Sequence, residues 1–122
     1  MRVTGMDATY YTVANDNDMT RFYADLLGTE PAMTWPGRLA EWTFDDGNSF
    51  GLYGSESEGM EPGGNGSVMF AVADVGKAVD EAKSRGVTFH QGGEITDTPS
   101  CHMAFGEDPE GNQFILHMRK SG

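Results

Sequence analysis

The sequence predicts an α+β fold that consists of two tandem copies of one βαβββ unit, and three internal matches support this prediction. Val13-Ala14-Asn15 matches Val72-Ala73-Asp74 at an offset of 59 residues, and Gly28 matches Gly86 at an offset of 58. Residues 47–52 (GNSFGL) match residues 111–116 (GNQFIL) at an offset of 64. Because the three matches occur in the same order, an internal duplication explains them better than chance does.

The first unit contains an amphipathic helix that follows a short β-rich run at residues 9–14. Its apolar side chains recur at i, i+3, i+4, i+7 and i+8, the spacing of one helical face; they are Met19, Phe22, Tyr23, Leu26 and Leu27. The Asn and Asp side chains at 15–18 supply N-cap oxygens, and Gly28 supplies the residue that ends the helix.

The second unit repeats this pattern. Its predicted helix begins after Asp74, ends before Gly86, and has one apolar face formed by Val75, Ala78, Val79 and Ala82. Further β-rich runs follow each helix, and the turn signals at 45–48 and 108–112 predict hairpins. Each unit therefore has the order β-α and then three strands.

The chain is predicted to form a single domain of two modules, the first over about 7–54 and the second over about 67–120. Residues 54–66 contain five Gly and three Glu. This composition is typical of a flexible linker, here placed at 55–66, and the alternative is a mobile lid over a site.

Charge and composition restrict the partners. Eight Lys and Arg against nineteen Asp and Glu give a net charge of −11, which disfavours nucleic acid and anionic membranes and favours cations. No apolar run approaches the roughly 20 residues that span a bilayer. The single cysteine, Cys101, excludes an internal disulfide. We therefore expect a cytoplasmic protein that binds neither nucleic acid nor membranes.

Three segments carry a resemblance to a known family: RFYADLLG at 21–28, FAVADV at 70–75 and DPEGN at 108–112. With the duplicated unit, their order resembles the vicinal oxygen chelate superfamily, which includes glyoxalase I, bleomycin-resistance proteins and extradiol dioxygenases. The resemblance covers essentially the whole chain. It implies a curved mixed β-sheet around a ligand cavity, and commonly a homodimer.

The side chains of this implied cavity follow from strand alternation. On the last strand Phe114, Leu116 and Met118 form an apolar row that covers the helices, so the other row faces the cavity. Extended to the other strands, the same reasoning predicts a mixed, aromatic-walled site. Its ligand-binding residues are Tyr10, Thr12, Trp42, Ser49, Tyr53, Met69, Gln113, Ile115 and His117, and Gly51, Ser67 and Ala71 lie among them. Glu41 and Trp42 at a cavity edge would suit a cationic or aromatic ligand, and the alternative is a solvated charge beside a core or interface aromatic.

The resemblance also implies a divalent metal ion held at four positions, two in each module. These positions correspond to Ala8, Gly51, Ile115 and Ser67 or a neighbour of Ser67. Three of the four side chains carry no donor atom, and a serine hydroxyl is a poor ligand for a transition metal ion. We therefore predict no metal and no other cofactor.

Two alternatives place catalysis on other residues. If the strand that carries Cys101 and His102 pairs with that of His117, the register decides which of the two lies near His117. His102 and His117, with Glu41, would form a non-standard metal site of a glyoxalase-type lyase, isomerase or dioxygenase. Cys101 activated by His117 would form a cofactor-free enzyme. The favoured hypothesis is a metal-free protein of the bleomycin-resistance type, in which His117 binds a small, organic, preferably cationic ligand and Cys101 is a buried apolar side chain.

Overall fold

Each module in the computed structural model, which describes residues 1–55 and 61–120, consists of one helix and a four-stranded sheet. The first module comprises β1 (Ala8–Val13), α1 (Asp16–Leu27), β2 (Met33–Trp35), β3 (Leu39–Thr43) and β4 (Ser49–Gly54). The second comprises β5 (Val68–Ala71), α2 (Val75–Ser84), a short 3-10 helix (His90–Gly93), β6 (Thr96–Asp97), β7 (Cys101–Glu107) and β8 (Gln113–Arg119). The predicted tandem α+β fold is therefore confirmed.

The two sheets have the same topology. Their strand orders are β1-β4-β3-β2 and β5-β8-β7-β6. In each sheet the first strand pairs in parallel with the last strand of its module, and the remaining pairs are antiparallel. The predicted linker lies only partly within the described residues, because positions 56–60 fall outside them.

The helix ends and hairpin turns lie where the local sequence predicts them. Asn15 caps α1 by accepting a hydrogen bond from the Asp18 amide at 2.9 Å, and Gly28 ends it with a left-handed φ of 72°. Asp74 caps α2 in the same way. Among the described residues, neither helix is long and apolar enough to cross a membrane.

A single hydrophobic core lies between the modules. It is formed by the inner faces of both sheets, meaning the faces that the helices cover, and by the buried sides of both helices. Its largest buried side chains are Tyr11, Met19, Tyr23, Trp42, Phe50, Leu52 and Phe114. Complete burial of one such side chain contributes about 1.5–3 kcal/mol, so this shared core holds the two modules together.

Two buried tyrosines connect the modules by hydrogen bonds. The Tyr11 hydroxyl accepts a hydrogen bond from the Val68 amide at 2.9 Å and donates one to the Gln113 carbonyl. The Tyr23 hydroxyl donates to the Asp108 carboxylate at 2.7 Å. Burial raises the pKa of both phenols, and the Asp108 charge raises that of Tyr23 further, so both remain protonated donors.

The β7–β8 turn and the linker add further contacts to the first module. The Glu110 carboxylate accepts hydrogen bonds from the amides of Ala14 and Asn15 at 2.7 and 2.8 Å, just before α1. In the linker, the Asn65 side chain accepts a hydrogen bond from the Thr12 amide at 2.9 Å and donates one to the Asn112 side chain at 2.7 Å, so it connects β1 to this turn. Together these contacts fix the modules with their inner faces towards each other and their outer faces, opposite the helices, directed away from the shared core.

Candidate functional site

The outer face of the first sheet is rich in aromatic side chains. Strand pairing aligns Tyr10 with Gly51, Gly51 with Glu41, and both Tyr53 and Trp35 with Leu39. Directly paired residues share a face of a sheet. We call this surface the aromatic face and define it by Tyr10, Trp35, Glu41, Gly51 and Tyr53.

The centre of the aromatic face is a stacked pair of tyrosines beside a carboxylate. The rings of Tyr10 and Tyr53 lie 4.3 Å apart at an interplanar angle of 20°. The Tyr10 hydroxyl donates a hydrogen bond to Glu41 Oε1. A Cβ atom at position 51 would overlap the Tyr10 ring, so Gly51 is what allows this ring to lie over the strand.

The electrostatics of this cluster favour a positively charged ligand. Burial raises the pKa of the Tyr10 phenol, and its hydrogen bond to Glu41 and the charge of Glu41 raise it further. Tyr10 therefore stays protonated near neutral pH and orients the carboxylate. An aromatic pair beside a carboxylate has the negative potential that suits an ammonium group.

The outer face of the second sheet is mainly apolar. Met69 and Phe105 flank Ile115 on the neighbouring strands, and Ala71 flanks His117. Ile115 is buried among its cross-strand neighbours, whereas Met69 is 53% exposed. The Gln113 side chain accepts a hydrogen bond from the Ser67 hydroxyl.

The structure divides the predicted ligand-binding residues between these surfaces. Four of them, Tyr10, Thr12, Ser49 and Tyr53, lie on the outer face of the first sheet. Four others, Met69, Gln113, Ile115 and His117, lie on the outer face of the second.

Trp42 lies on neither outer face. It is only 1% exposed, on the inner face of the first sheet, and its indole nitrogen donates to the Thr29 carbonyl at 2.9 Å. The aromatic face instead includes Trp35, which is not among the predicted ligand-binding residues.

The β7–β8 register separates the two histidines of the alternative metal site. Met103 pairs with His117, and His102 pairs with Met118, so the two histidine side chains point to opposite faces of the sheet. His102 Nε2 lies 3.2 Å from Asp97 Oδ1. Within residues 1–55 and 61–120, no group of three His, Cys, Asp or Glu side chains is positioned to hold a metal ion.

Cys101 shares a face with His117, but its direct cross-strand partner is Arg119. Cys101 is buried, and its sulfur lies 3.1 Å from Thr98 Oγ1. The Thr98 hydroxyl also accepts a hydrogen bond from the Cys101 amide. These contacts hold Cys101 against the turn between β6 and β7.

The four positions of the implied metal site do not fit a divalent transition metal ion. Ala8, Gly51 and Ile115 lie in β1, β4 and β8 and carry no donor atom in their side chains. The hydroxyl of Ser67 is hydrogen-bonded to Gln113. A hydroxyl and an amide are weak ligands for such an ion.

Comparisons with known proteins agree with this fold. The model of the Glyoxalase/Bleomycin resistance protein/Dioxygenase superfamily matches residues 5–116. No curated protein matches the chain. Among solved structures, a glyoxalase/bleomycin resistance protein from Catenulispora acidiphila is 18% identical with a TM-score of 0.74, covering 93% of this chain and 98% of its own.

Two further structures are similar to the same extent. A lactoylglutathione lyase from Agrobacterium tumefaciens is 19% identical with a TM-score of 0.69, and the alignment covers 97% of this chain and 96% of that one. A superfamily member from Sphaerobacter thermophilus is 22% identical with a TM-score of 0.73, and the alignment covers 97% and 99%. At these identities the likeness concerns the fold alone.

Proposed function

Because the chain belongs to the Glyoxalase/Bleomycin resistance protein/Dioxygenase superfamily, we propose that it is a small-molecule-binding protein whose ligand is an organic cation held on the aromatic face. The observation that carries this proposal is the stacked Tyr10–Tyr53 pair, with the Glu41 carboxylate hydrogen-bonded to Tyr10. No metal ion takes part in this binding.

The energetics of such a site are those of cation recognition. An ammonium group over an aromatic ring gains about 0.5–2 kcal/mol, depending on how far it is desolvated. The Glu41 carboxylate adds a direct charge interaction, and the net charge of −11 raises the local concentration of cations around the protein.

Titration with benzyltrimethylammonium tests the proposal, and neopentylbenzene is its uncharged control of the same shape. Binding is followed by calorimetry and by the fluorescence of Trp35. We expect saturable binding of the cation and little binding of the control. Glu41→Gln, which keeps the shape of the side chain, should weaken cation binding about tenfold. Equal affinity for both compounds, unchanged in Glu41→Gln, would contradict the proposal.

The metal-free part of the proposal rests on the donor-poor side chains at the four implied ligand positions. Elemental mass spectrometry of untagged protein purified in metal-supplemented buffer tests it. We expect well below one equivalent of any transition metal per chain. Stoichiometric metal that is lost in His117→Ala would contradict this part and revive the enzyme alternative.

We also propose a homodimer in the cytoplasm. On the outer face of the second sheet the apolar side chain of Met69 remains 53% exposed, and a second copy of the chain would cover it. The cytoplasmic location rests on the absence of a second cysteine. Sedimentation should give twice the chain mass, and Met69→Glu should shift it towards the monomer; a wild-type monomer would contradict the dimer.

A further inference from the structure

A cavity lies between the two modules, and its lining includes four of the residues that strand alternation assigns to the predicted site, namely Ser49, Ser67, Met69 and Ala71. Its volume is about 1150 Å³, slightly above the range of about 300–1,000 Å³ that is typical of small-molecule sites. The apolar part of its lining comes from both modules and includes Leu26, Leu27, Phe44, Val68, Phe70 and Ala78. It also touches Ser49 and Met69, but none of Tyr10, Glu41 and Tyr53 lines it.

The charged residues of this inter-module cavity are mostly acidic. Asp45 and Asp46 in the β3–β4 turn and Glu81 on α2 line it, together with one cation, Arg85. A hydrogen bond from Asn48 lowers the pKa of Asp46, which keeps that carboxylate ionised.

The Arg85 guanidinium lies against the C-terminal end of α1. It is 3.5 Å from the point that a Cβ atom on Gly28 would occupy. The last turn of α1 carries no basic side chain of its own, so Arg85 balances the negative end of the helix dipole. The three carboxylates outnumber this one cation, so the charged residues of the lining carry a net charge of −2.

We propose that the inter-module cavity is a second binding site, for an amphiphilic organic cation. The apolar body of the ligand lies against the wall that Phe44 and Phe70 form, with ring centroids 6.2 Å apart. Its positive group lies against the carboxylates of Asp45 and Glu81. This site is separate from the aromatic face, and its occupation does not depend on Glu41.

The two tryptophans report on the two sites separately. Trp42 is buried, hydrogen-bonded to the Thr29 carbonyl and 6.0 Å from the Phe50 ring, and both of these residues line the inter-module cavity. Trp35 lies on the aromatic face. In the Trp35→Phe variant, a fluorescence change therefore reports on the surroundings of Trp42, and Glu41→Gln shows whether the aromatic face contributes to it.

The test is a titration of Trp35→Phe with decyltrimethylammonium, with decanoate as the anion of matched chain length. We expect a saturable change in Trp42 fluorescence, with the cation binding at least about tenfold more tightly than the anion. Equal affinities, or no saturable change with the cation, would overturn the proposal.

Two variants in the Trp35→Phe background locate the binding. Asp45→Asn with Glu81→Gln removes two exposed charges and should weaken cation binding about fivefold without changing decanoate binding. Ala78→Phe narrows the cavity and should weaken the binding of both decyltrimethylammonium and decanoate. Unchanged cation preference in the double variant would overturn the proposal even if Ala78→Phe fails to fold.

Glu41→Gln separates this proposal from the one for the aromatic face. In the Trp35→Phe background it should leave decyltrimethylammonium binding unchanged. If instead it abolishes the Trp42 signal, the inter-module site is refuted while the aromatic face stands. If benzyltrimethylammonium fails to bind while decyltrimethylammonium follows the expected pattern, only the aromatic-face proposal falls.

Discussion

The outer faces of the two modules share one backbone pattern and carry opposite chemistry. In both sheets the first strand pairs with the last in the same register, and the last pairs with the third in the same register. The equivalent positions are Tyr10 and Met69, Glu41 and Phe105, Gly51 and Ile115, and Tyr53 and His117. An aromatic and acidic surface in the first module thus corresponds to an apolar surface with one histidine in the second.

One position accounts for much of this difference. Gly51 leaves the centre of the first sheet open, so the Tyr10 ring lies across it and stacks on Tyr53. Ile115 fills the same place in the second sheet between Met69 and Phe105. The duplication preserves the pairing of the strands, and the residue at this one position decides whether a ring from the neighbouring strand can lie over the centre of the sheet.

The inner faces show the reverse arrangement. Trp42 fills the space beside Phe50 in the first module, whereas Gly106 holds the equivalent place beside Phe114 in the second. A Cβ atom at position 106 would overlap the Phe114 ring. Each module therefore has one glycine under a ring, on the outer face in the first and in the core in the second.

The largest expected effect comes from Gly106→Ala. Because Phe114 is fully buried in the shared core, its ring cannot move away from the added methyl group without displacing other core residues. We expect the free energy of unfolding to fall by about 2–3 kcal/mol. Urea denaturation measures this free energy. A smaller loss in Gly106→Ala than in Gly51→Ala would contradict the expectation that the buried Phe114 ring tolerates an added methyl group less well than the partly buried Tyr10 ring does.

Gly51→Ala should act on binding more than on stability. Tyr10 is only partly buried and can rotate into solvent, so we expect a loss of about 1 kcal/mol or less in the free energy of unfolding. The displaced ring no longer stacks on Tyr53, and benzyltrimethylammonium affinity should fall about tenfold or more. Calorimetry on the folded variant measures this affinity. An affinity equal to that of wild type would show that binding does not require glycine at position 51.

Alkaline pH gives a third, smaller contrast, because Tyr10 has no titratable equivalent in the second module. Its raised pKa favours the protonated phenol in the folded state. The resulting stability is complete below the ordinary tyrosine pKa of about 10 and is lost as the pH rises through the folded value. Above that pH, urea denaturation should show that the free energy of unfolding falls less steeply with pH in Tyr10→Phe than in wild type. The same slope in both proteins would contradict a raised pKa of Tyr10. Tyr11 and Tyr23 contribute in the same direction in both proteins.

The smallest effect is expected from His117→Ala. His117 lies on the outer face of the second sheet, away from the Tyr10–Tyr53 pair. Benzyltrimethylammonium affinity should therefore change less than about twofold. A large loss in calorimetry would mean that the ligand spans both modules.

Local patterns predict the repeated unit, both helices and both hairpin turns, because caps, turn glycines and helical periodicity act within a few residues. Alternation also predicts that Tyr10 and Tyr53 share the outer face. The same alternation places neighbouring Glu41 and Trp42 on opposite faces, which the predicted site did not take into account. By contrast, the bonds of Tyr11 to β5 and β8 and of Tyr23 to Asp108 join residues far apart in the chain. They depend, like the inter-module cavity, on how two modules pack, and no local pattern encodes this packing.

Amide chemical-shift mapping with benzyltrimethylammonium on the ¹⁵N-labelled chain tests most directly whether the cation binds on the aromatic face. Binding on the aromatic face predicts that the largest shifts fall on β1, β3 and β4, around Tyr10, Glu41 and Tyr53, and that about tenfold more ligand is needed to produce them in Glu41→Gln. Shifts centred on β7 and β8, or a titration midpoint unchanged in Glu41→Gln, would contradict the claim that the first module holds the cation.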